Sequence, residues 1–95
     1  VEVTEKIAQR RRQILVHSLL YYGLDSPIID DPTFDKWAKE LAELQAEYPK
    51  ESQAAPYYAE FKGFDGSTGA DLDYDRPEIR NAAYRVSAYH KKLRN

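Results

Sequence analysis

Five residues of this 95-residue chain have the types and spacing to hold a flat, positively charged ring: Tyr21, Tyr22, Asp31, Phe34 and Asp35. Aromatic faces attract a cation, and carboxylates add charge complementarity or accept hydrogen bonds from ribose hydroxyls. For these side chains to meet, the tyrosine pair must close one helix and the acids must open the next, with the two helices folded back on each other. The amides at the start of the second helix would then also be available to a phosphate. Each residue has a plainer reading too. Asp31 before Pro32 is what a helix N-cap looks like, Phe34 falls on a core stripe, and Tyr21 and Tyr22 can simply close the hairpin.

The hydrophobic periodicity supplies the frame. Thr4 can cap a first helix, with Glu5 in its first turn where the helix dipole favours an acid. Ile7, Ile14, Leu15, Leu19 and Tyr22 recur at helical spacing, with Arg10, Arg11 and Arg12 largely on the other side. Gly23 is its stop, so the spacing predicts a helix over about 5–22. Asp31-Pro32 reads as the N-cap and first residue of a second helix, whose stripe is Phe34, Trp37, Ala38, Leu41, Leu44 and Tyr48. Pro49 ends it, because the residue before a proline avoids helical backbone, which gives a helix over about 32–47 and an antiparallel hairpin.

From Pro49 to Asp75 the chain holds Pro49, Pro56, Gly63, Gly66 and Gly69 and reads as a long irregular segment packed through Tyr57, Tyr58, Phe61 and Phe64. Asp75 and Glu78 form a D-x-x-E capping pattern. It leads into a third helix with Ile79, Ala82, Ala83, Val86, Tyr89 and Leu93 on one face. The expected fold is all-α and a single domain over 1–95: a helical hairpin, a long structured loop and a third, C-terminal helix.

Composition removes several function classes. Fourteen basic residues against sixteen acidic ones leave a net charge of -2, so the chain is neither a basic nucleic-acid coat nor a polyacidic tail. It has no cysteine, which excludes disulfides, thiolate metal sites and cysteine nucleophiles. Two histidines, His17 and His90, cannot build a three-histidine zinc site and read as surface or core-edge residues. Asp71-x-Asp73-x-Asp75 begins like a calcium loop, but Arg76 stands where its glycine belongs and Ala82 where its closing glutamate belongs. No metal is therefore expected. Apolar runs are too short for a membrane span or a signal peptide, and a cytoplasmic protein is the simplest reading. Residues 76–95 carry six basic residues and one acid, a net +5, and residues 60–75 carry five acids and one lysine, a net -4. The two stretches can pair with each other, and any DNA contact would be weak, salt-sensitive and limited to phosphates. The absence of methionine, even at position 1, points to a trimmed start or an excised fragment.

The runs Ile14-Leu15-Val16-His17-Ser18-Leu19-Leu20-Tyr21-Tyr22, Asp25-Ser26-Pro27-Ile28-Ile29-Asp30-Asp31, Phe34-Asp35 and Glu40-Leu41 together resemble the N-terminal Ia domain of bacterial NAD-dependent DNA ligases. That family reads as a tyrosine pair or Tyr-His, then D-x-P-x-I-x-D-x-x-Y-D, then L-x-x-L-E-x-x-x-P. Leu41, Leu44, Glu47 and Pro49 resemble its tail, and the similarity covers about residues 7–56. The resemblance implies a domain that clamps the nicotinamide mononucleotide (NMN) half of NAD while a neighbouring domain transfers AMP to a lysine. By position, Tyr21 and Tyr22 would wall the nicotinamide and Asp31 and Asp35 would be its acidic contacts. Phe34 stands at the family's tyrosine, so the ring is kept and the hydroxyl is not. The family's K-x-D-G nucleophile is missing. Lys62-Gly63-Phe64-Asp65-Gly66 has one residue too many and reads as a turn, so the chain is not expected to be an enzyme.

These readings lead to a non-catalytic binding module for NAD, NMN or an ADP-ribose-type nucleotide, with residues 5–56 as the ligase-like hairpin and 57–95 as a divergent loop and helix. Small stand-alone proteins of this kind resemble ones found in phages and prophages. The implied role is sequestering an NAD-derived nucleotide, or supporting a ligase, in the host cytoplasm. Two alternatives stand beside it: a protein or DNA interaction module that kept the scaffold without the ligand, and a piece of a longer ligase-like enzyme. An interaction module should cover the Tyr21–Asp35 spot, with Tyr57, Tyr58 or Phe61 as the covering residues, whereas a binding module should leave it open.

Overall fold

The structure is a computed structural model and describes residues 2–66 and 72–94. Gly69 and Asp71 lie outside that range, as does the side chain of Leu93. The described residues form five α-helices and no strand: α1 (Val3–Ser18), α2 (Asp31–Glu47), α3 (Pro49–Ala54), α4 (Tyr58–Phe61) and α5 (Pro77–Arg94). The expected all-α class is what is found. No described helix is long and apolar enough to cross a membrane.

Helix α1 runs through the centre and packs against α2, α3 and α5. Its register with α2 is antiparallel. Arg10 pairs with Glu40 at 2.9 Å, and Arg11 donates to Gln45 at 2.9 Å. One turn short of the hairpin end, His17 meets Trp37 edge to face at 5.4 Å. Ile7, Ile14, Leu15, Leu19 and Leu20 are buried from this side, against Ala38 and Leu41 of α2, Phe61 of α4, and Ile79 and Ala83 of α5. Each fully buried Leu or Ile contributes about 1.5–3 kcal/mol, so this seam carries most of the hydrophobic stabilisation.

Several details depart from the sequence reading. Thr4 does not cap α1, because the helix already starts at Val3 with Glu2 as its extended N-cap residue. Arg11 is not on the solvent side. It recurs on the face of Ile7 and Ile14 and is fully buried. Its guanidinium donates to Ser52 Oγ (2.7 Å), Gln45 Oε1 (2.9 Å) and the carbonyls of Pro56 (3.0 Å) and Ala55 (3.1 Å). It also lies 5.9 Å from the centre of the Phe61 ring. Burial lowers its pKa, but four oxygen acceptors satisfy the charge where it sits. Arg11 thus fastens α1 to the chain that follows α2.

The segment after Pro49 is not irregular throughout. Tyr48, held out of helical backbone at φ -124°, lets Pro49 open α3 as well as close α2. Tyr57, at φ 67°, turns the chain into α4. Phe61 is buried and Phe64 meets it edge to face at 5.2 Å, so the expected aromatic packing is present. Gly66 sits at φ +85°, where an added Cβ would come within 3.2 Å of the Ala38 carbonyl oxygen on α2. Both features call for glycine there.

The D-x-x-E pattern before α5 does not form a capping box. The helix starts at Pro77, Asp75 instead accepts from Arg80 at 2.5 Å, and Glu78 accepts from the Tyr57 hydroxyl at 3.3 Å. The acidic and basic stretches do pair, through Arg76 with Glu60 and Arg80 with Asp75. The expected apolar face of α5 is used only in part. Ile79 and Ala83 are buried, but Val86 and Tyr89 are exposed.

Candidate functional site

The hairpin end is built by a change of helical period. At Leu19 the α-helix widens into a single π turn, Leu19–Gly23. Its wide step is closed by the Leu24 amide donating to the Leu19 carbonyl at 2.8 Å, and the Ser26 amide reaches back to Leu20 at 2.7 Å. Leu19 and Leu20 remain buried while the next two residues, Tyr21 and Tyr22, stay 44% and 41% exposed. Isolated π turns of this kind gather at functional sites because they re-aim the side chains that follow. Gly23 is needed for close approach: a Cβ there would lie 2.7 Å from Leu19 Cδ1 and 3.2 Å from the Tyr74 ring.

On the facing helix the cap is one residue earlier than expected. Asp30, not Asp31, is the N-cap, and its carboxylate accepts from the Thr33 amide at 2.9 Å. That hydrogen bond holds the Asp30 carboxyl below its ordinary pKa. Both residues precede Pro32, and proline fits either of the first two helical positions, so the pattern alone points to either acid. Asp31 is thereby released from the capping role that would have explained it. The same bond occupies the Thr33 amide, so the expected opening for a phosphate at this helix start is already partly filled.

The π turn, the 25–30 connection and the first turn of α2 enclose a cavity of about 210 Å³. Its walls are His17, Tyr21, Tyr22, Pro27, Ile28, Ile29, Asp31, Phe34 and Asp35. All five residues singled out from the sequence border this one space. Tyr21 and Tyr22 meet edge to face at 4.8 Å, giving two ring planes at 68°. Asp31 and Asp35 are exposed, and neither enters an ion pair among the described residues. Two carboxylates, the rings of Tyr21, Tyr22 and Phe34, and no lysine or arginine among the described lining residues make the lining attractive to an aromatic cation. Sites that enclose a whole drug-sized ligand run to roughly 300–1,000 Å³, so this cavity suits one ring with its nearest substituents.

Four wall residues were not singled out from sequence. Pro27, Ile28 and Ile29 close the side formed by the connection, and two consecutive isoleucines in a short polar link were the available signal. His17 lies four residues before Tyr21, hence on the same side of the helix. It is half-buried against Trp37, and its Nδ1 is buried without a hydrogen-bond partner. Burial lowers its pKa below 6.5. Tyr57, Tyr58 and Phe61 line no part of the cavity, and neither does Lys62.

Residues 1–56 match the family described as "DNA ligase-like, N-terminal NAD+-binding domain". The chain is 46% identical over 48 residues to a DNA ligase of Cellvibrio japonicus, covering 50% of this chain and 7% of that ligase. It is 46% identical over 46 residues to a DNA ligase of Pseudomonas aeruginosa, covering 48% of this chain and 6% of that ligase. With a DNA ligase of Porphyromonas gingivalis the similarity is longer, 39% over 76 residues, covering 78% of this chain and 11% of the ligase. The chain thus spans about a tenth or less of the length of these relatives. No solved structure matches it significantly. With the family match extending over more than half of its residues, the chain belongs to the NAD+-binding Ia domains of the NAD+-dependent DNA ligases.

Proposed function

We propose that the chain is a non-catalytic module that binds the nicotinamide mononucleotide part of NAD in the cavity at the hairpin end. The observation that carries this reading is the convergence of Tyr21, Tyr22, Asp31, Phe34 and Asp35 on one space with no lysine or arginine among its described lining residues. The nicotinamide ring of NAD is a flat cation, and aromatic faces with nearby carboxylates suit it. Tyr21 and Tyr22 flank the ring. Phe34 gives it an apolar floor without a hydroxyl. Asp31 and Asp35 meet its charge or the ribose hydroxyls. The residues that would cover the site in a pure interaction module, Tyr57, Tyr58 and Phe61, are engaged elsewhere, which favours a module that keeps its ligand.

The catalytic part of an adenylation reaction is not assigned to this chain. Lys62 ends α4 in a turn, away from the cavity walls, and is not read as a nucleophile. In a cell the module would either withhold an NAD-derived nucleotide or present it to a ligase in trans. Calorimetric titration with NAD, NMN, ADP-ribose and AMP tests this. NAD and NMN should bind, AMP should not, and a Tyr22→Ala, Asp35→Ala double variant should lose the heat. Absence of heat with millimolar NMN would sink the reading.

A further inference from the structure

We propose that His17 is a specificity residue of this cavity: its uncharged imidazole meets the polar edge of the bound ring, and its protonation expels rings that carry positive charge. The inference rests on the nicotinamide reading given above. It begins from the surroundings of the residue. The ring borders the cavity, is wedged edge-on against Trp37, and buries its Nδ1 where no carbonyl or carboxylate reaches it. Histidines that must be cations are usually given such an acceptor. This one is given an apolar wall, and burial is the cause that dominates its titration.

The groups that face it come from each element that builds the cavity. Asp31 and Asp35 face the space from α2, and Tyr21 and Tyr22 face it from the π turn. The connection contributes Pro27, Ile28 and Ile29, none of which titrates. On its own helix Arg10 reaches the Trp37 ring at 5.5 Å and is paired with Glu40. Among the described residues no carboxylate hydrogen-bonds His17 Nδ1, and burial is the cause that governs its titration. At neutral pH the imidazole is therefore a neutral donor or acceptor for an amide such as the carboxamide of nicotinamide. Below its titration it becomes a cation inside a space that otherwise selects cations, and a pyridinium ring loses affinity where an uncharged ring of the same shape does not.

The test compares two acid-stable probes, NMN and benzamide mononucleotide, which differ in the charge of the ring. Both carry a phosphate that titrates near 6, so its effect is shared and cancels in the ratio of the two affinities. Binding is measured by calorimetry at about pH 7.5 and about pH 5. The preference for NMN over the neutral probe should fall by about tenfold in the wild-type chain, as expected for a new like charge in contact distance. In His17→Gln, which keeps a neutral polar tip, the preference should be independent of pH. The single tryptophan, Trp37, gives a second readout without any ligand, since an adjacent imidazolium quenches indole emission. Its emission should titrate below 6.5 in the wild type and not in His17→Gln. A wild-type preference that does not change with pH overturns the inference, with no variant needed. A pH-dependent preference that survives in His17→Gln overturns it too, and assigns the effect to the carboxylates. Failure of both probes to bind at about pH 7.5 removes the nicotinamide reading and this inference with it.

Discussion

Two pairs of tyrosines stand on the surface of this molecule, and they have opposite surroundings. Tyr21 and Tyr22 are 44% and 41% exposed, and Tyr84 and Tyr89 on α5 are 50% and 64% exposed. By exposure alone the α5 pair is the better candidate for a site. Yet Tyr84 already holds a cation: Arg80 lies 6.0 Å from its ring and donates to its hydroxyl at 2.9 Å. Arg85, Lys91 and Lys92 follow on the same helix. The hairpin pair instead borders a cavity with two acids that enter no ion pair among the described residues. Enclosure and the sign of the neighbouring charge, rather than exposed aromatic area, separate a ligand wall from a solvated helix face.

The largest effect expected from this contrast is on the hairpin's own support. Arg11→Met would leave four oxygen acceptors without this donor, those of Ser52 and Ala55 buried, and should cost about 3 kcal/mol. In a domain of this size that lowers the melting temperature by roughly 10–20 °C, read by circular dichroism. A loss within about 0.5 kcal/mol would show that α3 does not need its fastening to α1. Next, Asp35→Ala should weaken NMN binding at least about tenfold, while Tyr89→Ala leaves it unchanged. An equal effect of the two substitutions would erase the distinction between the two tyrosine regions.

A finer test divides the labour of two adjacent acids. Asp30→Ala should lower the melting temperature by a few degrees through loss of the cap and leave the cavity lining intact. Asp31→Ala should do the reverse, reducing NMN affinity with little change in melting. Smaller still is the acid limb of the stability curve. Unfolded His17 titrates at its ordinary value near 6.5 and the folded residue lower, so the unfolded chain binds the extra proton. The stability owed to the uncharged ring is complete above about pH 6.5 and is lost as pH falls through the folded value. Compared with His17→Gln, the wild-type melting temperature should therefore fall more steeply on acidification. Smallest of all, Tyr89→Ala should change stability by no more than about 0.5 kcal/mol.

The sequence was most readable where one period ran unbroken. The stripes of α1 and α2 gave the hairpin, and the hairpin gave the meeting of Tyr21, Tyr22, Asp31, Phe34 and Asp35. Reading failed where two physical solutions share one pattern. Asp30 and Asp31 both look like caps before Pro32. Pro49 closes one helix and opens another. Arg11 has the chemistry of a surface residue and the phase of a core residue, and acceptors far along the chain, on Gln45, Ser52, Ala55 and Pro56, make its burial tolerable. Val86 and Tyr89 continue a stripe that has no described partner. His17 was overlooked because a lone histidine has no signature until the wall around it exists.

The π turn also marks a register. A wide turn holds one residue more than the α-helical turn it replaces, so it behaves as a single-residue insertion absorbed inside a helix. Excising one residue from Leu19–Gly23 would restore ordinary winding and leave the chain before and after the turn nearly in phase. The change would fall on the turn itself, where the two phenols would be re-aimed off the cavity while the connection to α2 kept its start. Length at this point is as much a determinant of the site as residue identity. A relative one residue shorter here would be expected to keep the hairpin and lose the pocket.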